Sequence, residues 1–184
     1  MIVVKLGGSL ARSEALIKCL NTIEQKYQGR AVVIVPGGGA FADQVRIAQN
    51  HWQFDDKTAH AMALLAMQQM ALLLKGLKPD FSMAGLTSDI QERLKLQKVV
   101  IWSPDIIELD SAGIQATWDI TSDSLAAWLA KTLSAKELVL VKSANINGGL
   151  SVRELADQNI VDQSFCNFLA NSSFKITIIN EQRF

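Results

Sequence analysis

The sequence predicts an α/β fold, a three-layer αβα sandwich around a mainly parallel central sheet. Two apolar stretches, from Ile2 to Val4 and from Ala31 to Val35, are typical of buried strands. Each runs into a glycine-rich turn and then into a helical pattern. Strands that alternate with helices in this way pair in parallel through right-handed crossovers. Both glycine turns are therefore expected at the carboxyl edge of one sheet, where proteins of this class bind ligands.

The bulk composition indicates one domain in a reducing compartment. The chain has 184 residues, enough to bury a core without disulfides, and residues 1–184 are expected to form a single domain. Eighteen basic and eighteen acidic residues cancel, which argues against nucleic acid or an anionic membrane as a partner. Cys19 and Cys166 lack the spacing of a metal site, and the N-terminus does not resemble a signal peptide. We expect a cytoplasmic protein.

The first glycine turn has the elements of an anion site. Gly7 and Gly8 expose backbone N–H groups, and Ser9 is expected to cap a helix from Leu10 to Leu20 whose dipole points its positive end at the turn. Lys5, at the end of the strand, carries an ammonium group suited to a phosphate oxygen. A tight turn beside a surface lysine would show the same residues, so this stretch alone leaves both interpretations open.

The second glycine turn, Gly37 to Gly39, has a high cost in backbone entropy, so something is expected to require a bare backbone there. The approach of ligand oxygens to successive N–H groups explains it, and a wide turn without a ligand is the alternative. In the helix predicted from Ala40 to Asn50, Asp43 and Arg46 share one face. They form an exposed ion pair, or Arg46 contacts an anionic acceptor.

The segment from Asp55 to Leu74 is helix-forming throughout and has apolar residues on nearly every face. A surface helix would show a polar side, so this one is expected to be buried on more than one side. It is either the central helix of one subunit or the seam of a homodimer. Its methionines are interpreted as packing residues. His51 and His60 are interpreted as structural, because they lack acidic or cysteine neighbours at ligand spacing.

The rest of the chain alternates short strands with helices. Pro104 is expected at the first position of a short helix, and Thr121 or Ser122 is expected to cap a helix that runs to about Leu133. The other predicted elements are a strand near Phe81, a helix from Thr87 to Leu96, a strand from Lys98 to Trp102, a strand from Leu138 to Val141, helices around Val152 to Ala156 and Gln163 to Asn171, and a strand from Lys175 to Ile179.

Three motifs fall at these turns and helix starts. They are Lys5-Leu6-Gly7-Gly8-Ser9, Pro36-Gly37-Gly38-Gly39-Ala40-Phe41-Ala42-Asp43 and Trp118-Asp119-Ile120-Thr121-Ser122-Asp123-Ser124-Leu125-Ala126. In order and spacing they resemble the amino acid kinase family, which includes acetylglutamate, aspartate, uridylate and isopentenyl phosphate kinases. The third motif is most similar to its branch in methanofuran biosynthesis, which phosphorylates an aminomethylfuran-methyl phosphate to its diphosphate.

The resemblance implies a small-molecule kinase that uses ATP and Mg²⁺ to phosphorylate the phosphate or carboxylate of an anionic acceptor. Residues 1–117 would form the acceptor half and residues 118–184 an abbreviated nucleotide half, and helix 55–74 would form a homodimer. The protein would supply no metal ligand. The expected site residues are Lys5 and Asp123 for catalysis, Gly7, Gly8, Ser9, Lys142 and Ser143 for phosphate and nucleotide, and Gly37, Gly38, Gly39, Phe41, Asp43, Arg46 and Trp118 for the acceptor.

The chain departs from the family after Val141. Members usually have an Asp-x-Asp-Gly turn there and then a second lysine, whereas here Asn145 and Asn147 replace the acids and Leu150 stands at the lysine position. Lys142 is the nearest remaining cation, which either substitutes for that lysine or is solvated. These changes keep open an alternative, a non-catalytic relative that retains the fold and the dimer and acts as a ligand-binding or regulatory protein.

Overall fold

The computed structural model describes residues 1–96, 98–146 and 149–184. Its strands are β1 (Ile2–Leu6), β2 (Val32–Pro36), β3 (Ser82–Ala84), β4 (Val99–Trp102), β5 (Glu137–Lys142) and β6 (Lys175–Asn180). Its α-helices are α1 (Ala15–Lys26), α2 (Gly39–Trp52), α3 (Asp56–Leu77), α4 (Thr87–Leu96), α5 (Ile106–Ser111), α6 (Ser122–Thr132), α7 (Val152–Asp157) and α8 (Phe165–Leu169). None of these helices is both long and apolar enough to cross a bilayer.

The six strands form one sheet in the order β3-β4-β2-β1-β5-β6, and every described pairing is parallel. Successive residues of β1 face opposite sides, because side chains alternate along a strand. Val3 packs into a core with α6 and α8, whereas Ile2 and Val4 pack into a second core with α1. Helices therefore cover both faces of the sheet. The predicted three-layer sandwich is confirmed, with a sheet that is wholly parallel across the described strands.

The central strands end level with one another at the carboxyl edge. Leu6 of β1 lies opposite Pro36 of β2 and Val141 of β5, so the loops after these strands meet. The ladder continues one residue further, because the Gly7 N–H donates to the Val141 carbonyl over 2.9 Å and the Gly37 N–H donates to the Leu6 carbonyl over 2.8 Å. These two N–H groups stabilise the sheet edge and do not point at a ligand.

The two glycine loops pack directly against each other. A Cβ atom on Gly8 would lie 2.2 Å from the Gly39 nitrogen, and one on Gly37 would lie 2.5 Å from the Gly8 nitrogen. Gly39 also has a positive φ of 55°, a conformation that disfavours a side chain. Contact between the loops is therefore enough to require glycine at positions 8 and 37. The sequence pattern predicts the bare backbone correctly but not this reason for it.

The first helix differs from its prediction. A short 3-10 helix spans Gly8–Arg12, and α1 begins only at Ala15. The hydroxyl of Ser9 makes no cap bond; its oxygen lies 2.7 Å from the hydroxyl oxygen of Ser143 in the loop after β5. The prediction that Ser9 caps a helix from Leu10 is therefore wrong, because the hydroxyl is used for contact between loops.

The start of α5 also differs. Asp105 is the N-cap, and its carboxylate accepts from the Glu108 N–H over 2.8 Å. Pro104 therefore precedes the cap. The prediction that Pro104 is the first helical residue is wrong. Asp105 occupies the N-cap position because its side chain accepts a hydrogen bond from an N–H group that has no partner within the helix.

Helix α3 contributes to both cores and also has an exposed apolar stripe. Met67 and Met70 are buried, as expected for packing residues. Four leucines on its outer side remain 39 to 58% exposed. They are Leu65, Leu72, Leu73 and Leu77. A single subunit therefore leaves one apolar face of this helix uncovered.

We expect Gly8→Ala to lower the free energy of unfolding by roughly 2 kcal/mol or more, because the added methyl group would overlap backbone atoms of the second loop. Gly7→Ala is the matched control. Its nearest contact is 3.2 Å and its φ of −58° suits alanine, so its cost should be well below that of Gly8→Ala. Urea unfolding followed by circular dichroism measures both, and equal losses would contradict the close packing of the loops.

Candidate active site at the carboxyl edge of the sheet

Three charged side chains converge where β1, β5 and α6 meet. Lys5 lies on β1, Lys142 ends β5, and Asp123 is the second residue of α6. The Lys5 Nζ lies 2.7 Å from Asp123 Oδ1, and the Lys142 Nζ donates to Oδ2 over 2.5 Å. The expected pairing of Asp123 with Lys5 is present. Lys142 is paired as well, so it is not solvated.

This charged cluster (Lys5, Asp123 and Lys142) has one more positive charge than negative. Burial alone would raise the pKa of Asp123, but the two ammonium groups hold it below its usual range. Burial and the neighbouring Lys5 lower the pKa of Lys142 to about 8, although Asp123 acts in the opposite direction. The two ammonium groups line the second cavity, where a phosphate oxygen would be attracted to them, and the nearby carboxylate of Asp162 offsets part of their charge.

Asp162, in the loop after α7, is a buried carboxylate that sequence patterns do not reveal. It accepts hydrogen bonds from the Thr121 N–H over 2.9 Å, the Thr121 hydroxyl over 2.5 Å and the Ser124 N–H over 2.8 Å. Burial raises the pKa of Asp162, and the charge of Asp123 adds to the effect. Asp162 thus caps α6 in place of the Thr121 or Ser122 side chain that local patterns predict. By fixing the start of α6, it positions Asp123.

Arg46 and Trp118, two of the residues expected to bind the acceptor, stack on each other. The Arg46 guanidinium lies over the Trp118 ring, 3.8 Å from its centroid, and the Trp118 Nε1–H donates to Gln49 Oε1 over 2.6 Å. Asp43 instead pairs with Arg12 across 2.7 Å. The alternative of an ion pair between Asp43 and Arg46 is therefore wrong, because Arg46 is turned toward the tryptophan.

Two adjacent cavities adjoin these groups. The first, of about 260 Å³, lies between the glycine loops, α2 and α3. The second, of about 250 Å³, lies beside the charged cluster and Asp162. Arg46, Trp118 and Thr121 line both cavities, so the stacked pair stands between them. A ligand that reached from one cavity into the other would pass this pair.

Most of the expected site residues line one of these cavities. The first cavity is lined by six of the residues expected to bind the acceptor, together with Gly8 and Ser9 from the first loop. The six are Gly37, Gly38, Gly39, Asp43, Arg46 and Trp118. The second contains Lys5, Asp123 and Lys142. Three expected residues lie elsewhere among the described positions: Gly7 and Ser143 support the loops, and Phe41 is 40% exposed outside both cavities. In the altered turn after Lys142, Asn147 and Gly148 lie outside the described residues.

His60, interpreted from the sequence as structural, lies in the wall of the first cavity. Its ring is buried yet lines the first cavity, and its Nε2 atom has no hydrogen-bond partner among the described residues. No local signal marked it, because the groups around it come from distant parts of the chain.

We expect Asp123→Asn to lower the pKa of Lys142 below its value of about 8, because burial and Lys5 remain while the anionic partner is lost. NMR titration of labelled lysine side chains measures it, and Lys142→Arg assigns the signal. The folded pKa lies below the unfolded value of 10.5, so the folded state binds fewer protons between these pH values. Lys142 should therefore make the free energy of unfolding rise with pH in that range. An unchanged or higher pKa in Asp123→Asn would contradict the pairing.

Comparison with known proteins agrees with the sequence motifs. The Amino acid kinase family model matches residues 1–145. The chain is 25% identical over 191 aligned positions to the 5-(aminomethyl)furan-3-yl methyl phosphate kinase of Methanocaldococcus jannaschii, covering 98% of this chain and 88% of that protein.

Solved structures show the same fold. Uridylate kinase from Archaeoglobus fulgidus superposes with a TM-score of 0.77 at 20% identity, covering 99% of this chain and 92% of that one. UMP kinase from Ureaplasma parvum gives 0.71 at 16% identity and covers 97% and 88%. The fold, the matched residues and the three motifs agree, and the chain belongs to the amino acid kinase family.

Proposed function

We propose that this small-molecule kinase transfers the γ-phosphoryl group of ATP to the phosphate of an aminomethylfuran-methyl phosphate, forming the diphosphate. Membership of the family and the kinase named in Methanocaldococcus jannaschii support the reaction class and the acceptor. The observation that carries the proposal is the buried charged cluster, whose two ammonium groups face one carboxylate and line a cavity of small-molecule size.

The cluster suits phosphoryl transfer without a covalent enzyme intermediate. An oxygen of the acceptor phosphate attacks the γ-phosphorus in line, and the bond to the β-phosphate oxygen breaks. The ammonium groups of Lys5 and Lys142 neutralise charge on the phosphoryl group as it moves. Asp123 is not the general base in this proposal, because both its oxygens face ammonium groups and a phosphate dianion has no proton to lose.

The chain's residues fit ATP phosphates better than a protein-bound metal. The oxygens of Asp123 face lysines and those of Asp162 accept hydrogen bonds, so Mg²⁺ would be held mainly by phosphates and water. The ion would supply charge neutralisation between the phosphate groups. Lys5, Lys142 and the hydroxyl of Ser9 would bind phosphate oxygens. In this proposal residues 1–117 hold the acceptor and residues 118–184 hold the nucleotide.

The alternative of a non-catalytic relative is less well supported. It rested on the altered turn after β5, where a second lysine is missing. Lys142 meets Asp123 from the end of that strand, so the site retains two ammonium groups despite the altered turn. We further propose a cytoplasmic location, consistent with unpaired cysteines among the described residues.

A homodimer through α3 is part of the proposal. The exposed leucine stripe of α3 (Leu65, Leu72, Leu73 and Leu77) is an apolar face that a second copy would cover. Family members commonly associate through the corresponding helix, as the resemblance implies. Met67 does not belong to this seam, because it is 4% exposed and lines the first cavity.

Replacing Lys5 tests the transfer step. We expect Lys5→Met to lower kcat by roughly a hundredfold or more, because one of the two charges that stabilise the transition state is lost. ADP release with aminomethylfuran-methyl phosphate as acceptor measures it, and circular dichroism checks the fold. Lys175→Met, at an exposed lysine on β6, is the control and should leave kcat unchanged. Turnover by Lys5→Met equal to that of the wild type would remove Lys5 from the mechanism.

Replacing Leu72 tests the dimer. We expect the wild type to sediment as a dimer at micromolar concentration and Leu72→Arg to sediment as a folded monomer, because a charge would be buried in the seam. Leu96→Arg, which alters a leucine that is 87% exposed on α4, is the control and should remain dimeric. A wild type that sediments as a folded monomer would exclude the seam.

A further inference from the structure

One face of α3 forms a wall of the first cavity and changes character along its length. Asp56, His60, Ala63, Leu64 and Met67 all line this cavity, and their spacing places them on one side of the helix. The wall is polar at its N-terminal end, where Asp56 and His60 lie. It is apolar from Ala63 to Met67. A ligand along this wall would need a polar group at one end and an apolar body.

The glycine loops contact the opposite end of the same wall. A Cβ atom on Gly38 would lie 3.6 Å from the Ala66 side chain, and one on Gly39 would lie 3.4 Å from the Met70 sulfur. Ala66 and Met70 follow His60 by six and ten positions, a distance of about 9 to 15 Å along the helix axis at 1.5 Å per residue. The glycine loops and the polar end of α3 are therefore separated by the length of a small molecule.

We propose that Asp56 and His60 bind a protonated primary amine of the acceptor, at the end of the first cavity remote from the glycine loops. The proposal rests on the proposed function and names its substrate class, a phosphate monoester that carries an amine on an apolar body. The two residues would determine specificity, because neither lines the second cavity, where the charged cluster lies.

His60 contributes a buried polar group that lacks a partner. The residue is 9% exposed, and its Nε2 atom makes no hydrogen bond among the described residues. Burial lowers the pKa of His60, although Asp110 acts against this, so the ring is neutral at pH 7 and one nitrogen accepts a hydrogen bond. A half-turn of the His60 ring about χ2 exchanges its nitrogen and carbon positions while the ring fills the same space, so the accepting nitrogen can face the cavity without repacking. Leaving such a group unpaired is unfavourable, and a hydrogen-bond donor on the ligand would offset this cost.

Asp56 contributes the negative charge. Its Oδ1 accepts from Gln49 Nε2 over 2.9 Å, and Gln49 in turn accepts from Trp118, so the carboxylate is held in one orientation. Asp43, the other carboxylate that lines this cavity, is already paired with Arg12. Asp56 makes no ion pair among the described residues, and an ammonium group is its natural counterpart.

Binding of two matched ligands tests the proposal. The first is aminomethylfuran-methyl phosphate, and the second is its analogue with a methyl group in place of the aminomethyl group. By titration calorimetry, the wild type should bind the first at least about tenfold more tightly. His60→Leu and Asp56→Asn should each weaken the first roughly tenfold and change the second less than about twofold. Asp80→Asn, at an exposed carboxylate that lines neither cavity, is the control and should change neither affinity.

The results of these titrations distinguish a failure of amine recognition from a failure of the proposed phosphoryl transfer. Equal weakening of both ligands by His60→Leu and Asp56→Asn, or equal binding of both ligands by the wild type, would overturn amine recognition. Absence of binding of the amine-bearing ligand would also overturn it. Discrimination for the amine without ADP release would support it while refuting phosphoryl transfer. If His60→Leu does not fold, His60→Phe, which also removes the accepting nitrogen, and the exposed Asp56→Asn give the same comparison.

Discussion

The candidate site depends on a single buried carboxylate that faces two ammonium groups. Asp123 stands between Lys5 and Lys142, which come from neighbouring strands of the sheet. Each lysine alone would be costly to bury, and the carboxylate makes both tolerable. The arrangement also requires that α6 start at one place, which Asp162 ensures by accepting hydrogen bonds from Thr121 and Ser124. The C-terminal part of the chain thus determines the geometry of a cluster whose lysines are on β1 and β5.

In the proposed reaction the two cavities have different tasks, acceptor recognition in the first and phosphoryl transfer in the second. The first combines glycine loops with a helical wall that is polar at one end, and the second contains the charged cluster. Arg46 and Trp118 separate them, and Gln49 ties Trp118 to the same helix as Arg46. A cation held against an aromatic face keeps its charge while its hydrogen-bond donors remain available at the edge of the stack. In the proposed reaction the two phosphoryl groups would meet beside this stack.

The fold and part of the site could be predicted because their signals are local. An apolar run followed by glycines and a helix indicates a parallel strand and its turn, and Lys5 and Asp123 lie inside such motifs. Asp162 could not be found in this way, because its hydrogen-bond partners Thr121 and Ser124 lie far from it along the chain. The position of His60 in the wall of the first cavity could not be found either, because the cavity is formed by segments that are distant in sequence. Ser9 was found but given the wrong role. A serine suits a helix cap as well as a contact with Ser143, so the local pattern does not distinguish the two roles.

The interlocked glycine loops have a consequence for how such sequences change. Position 8 and position 37 occupy one shared volume, although 28 residues separate them along the chain. A side chain at either position meets the backbone of the opposite loop, so a second replacement elsewhere in the loops does not make room for it. The two glycine motifs therefore constrain each other and form one structural unit, although they are separate in the sequence. A transplant of either loop into another sheet would succeed only if its counterpart moved with it.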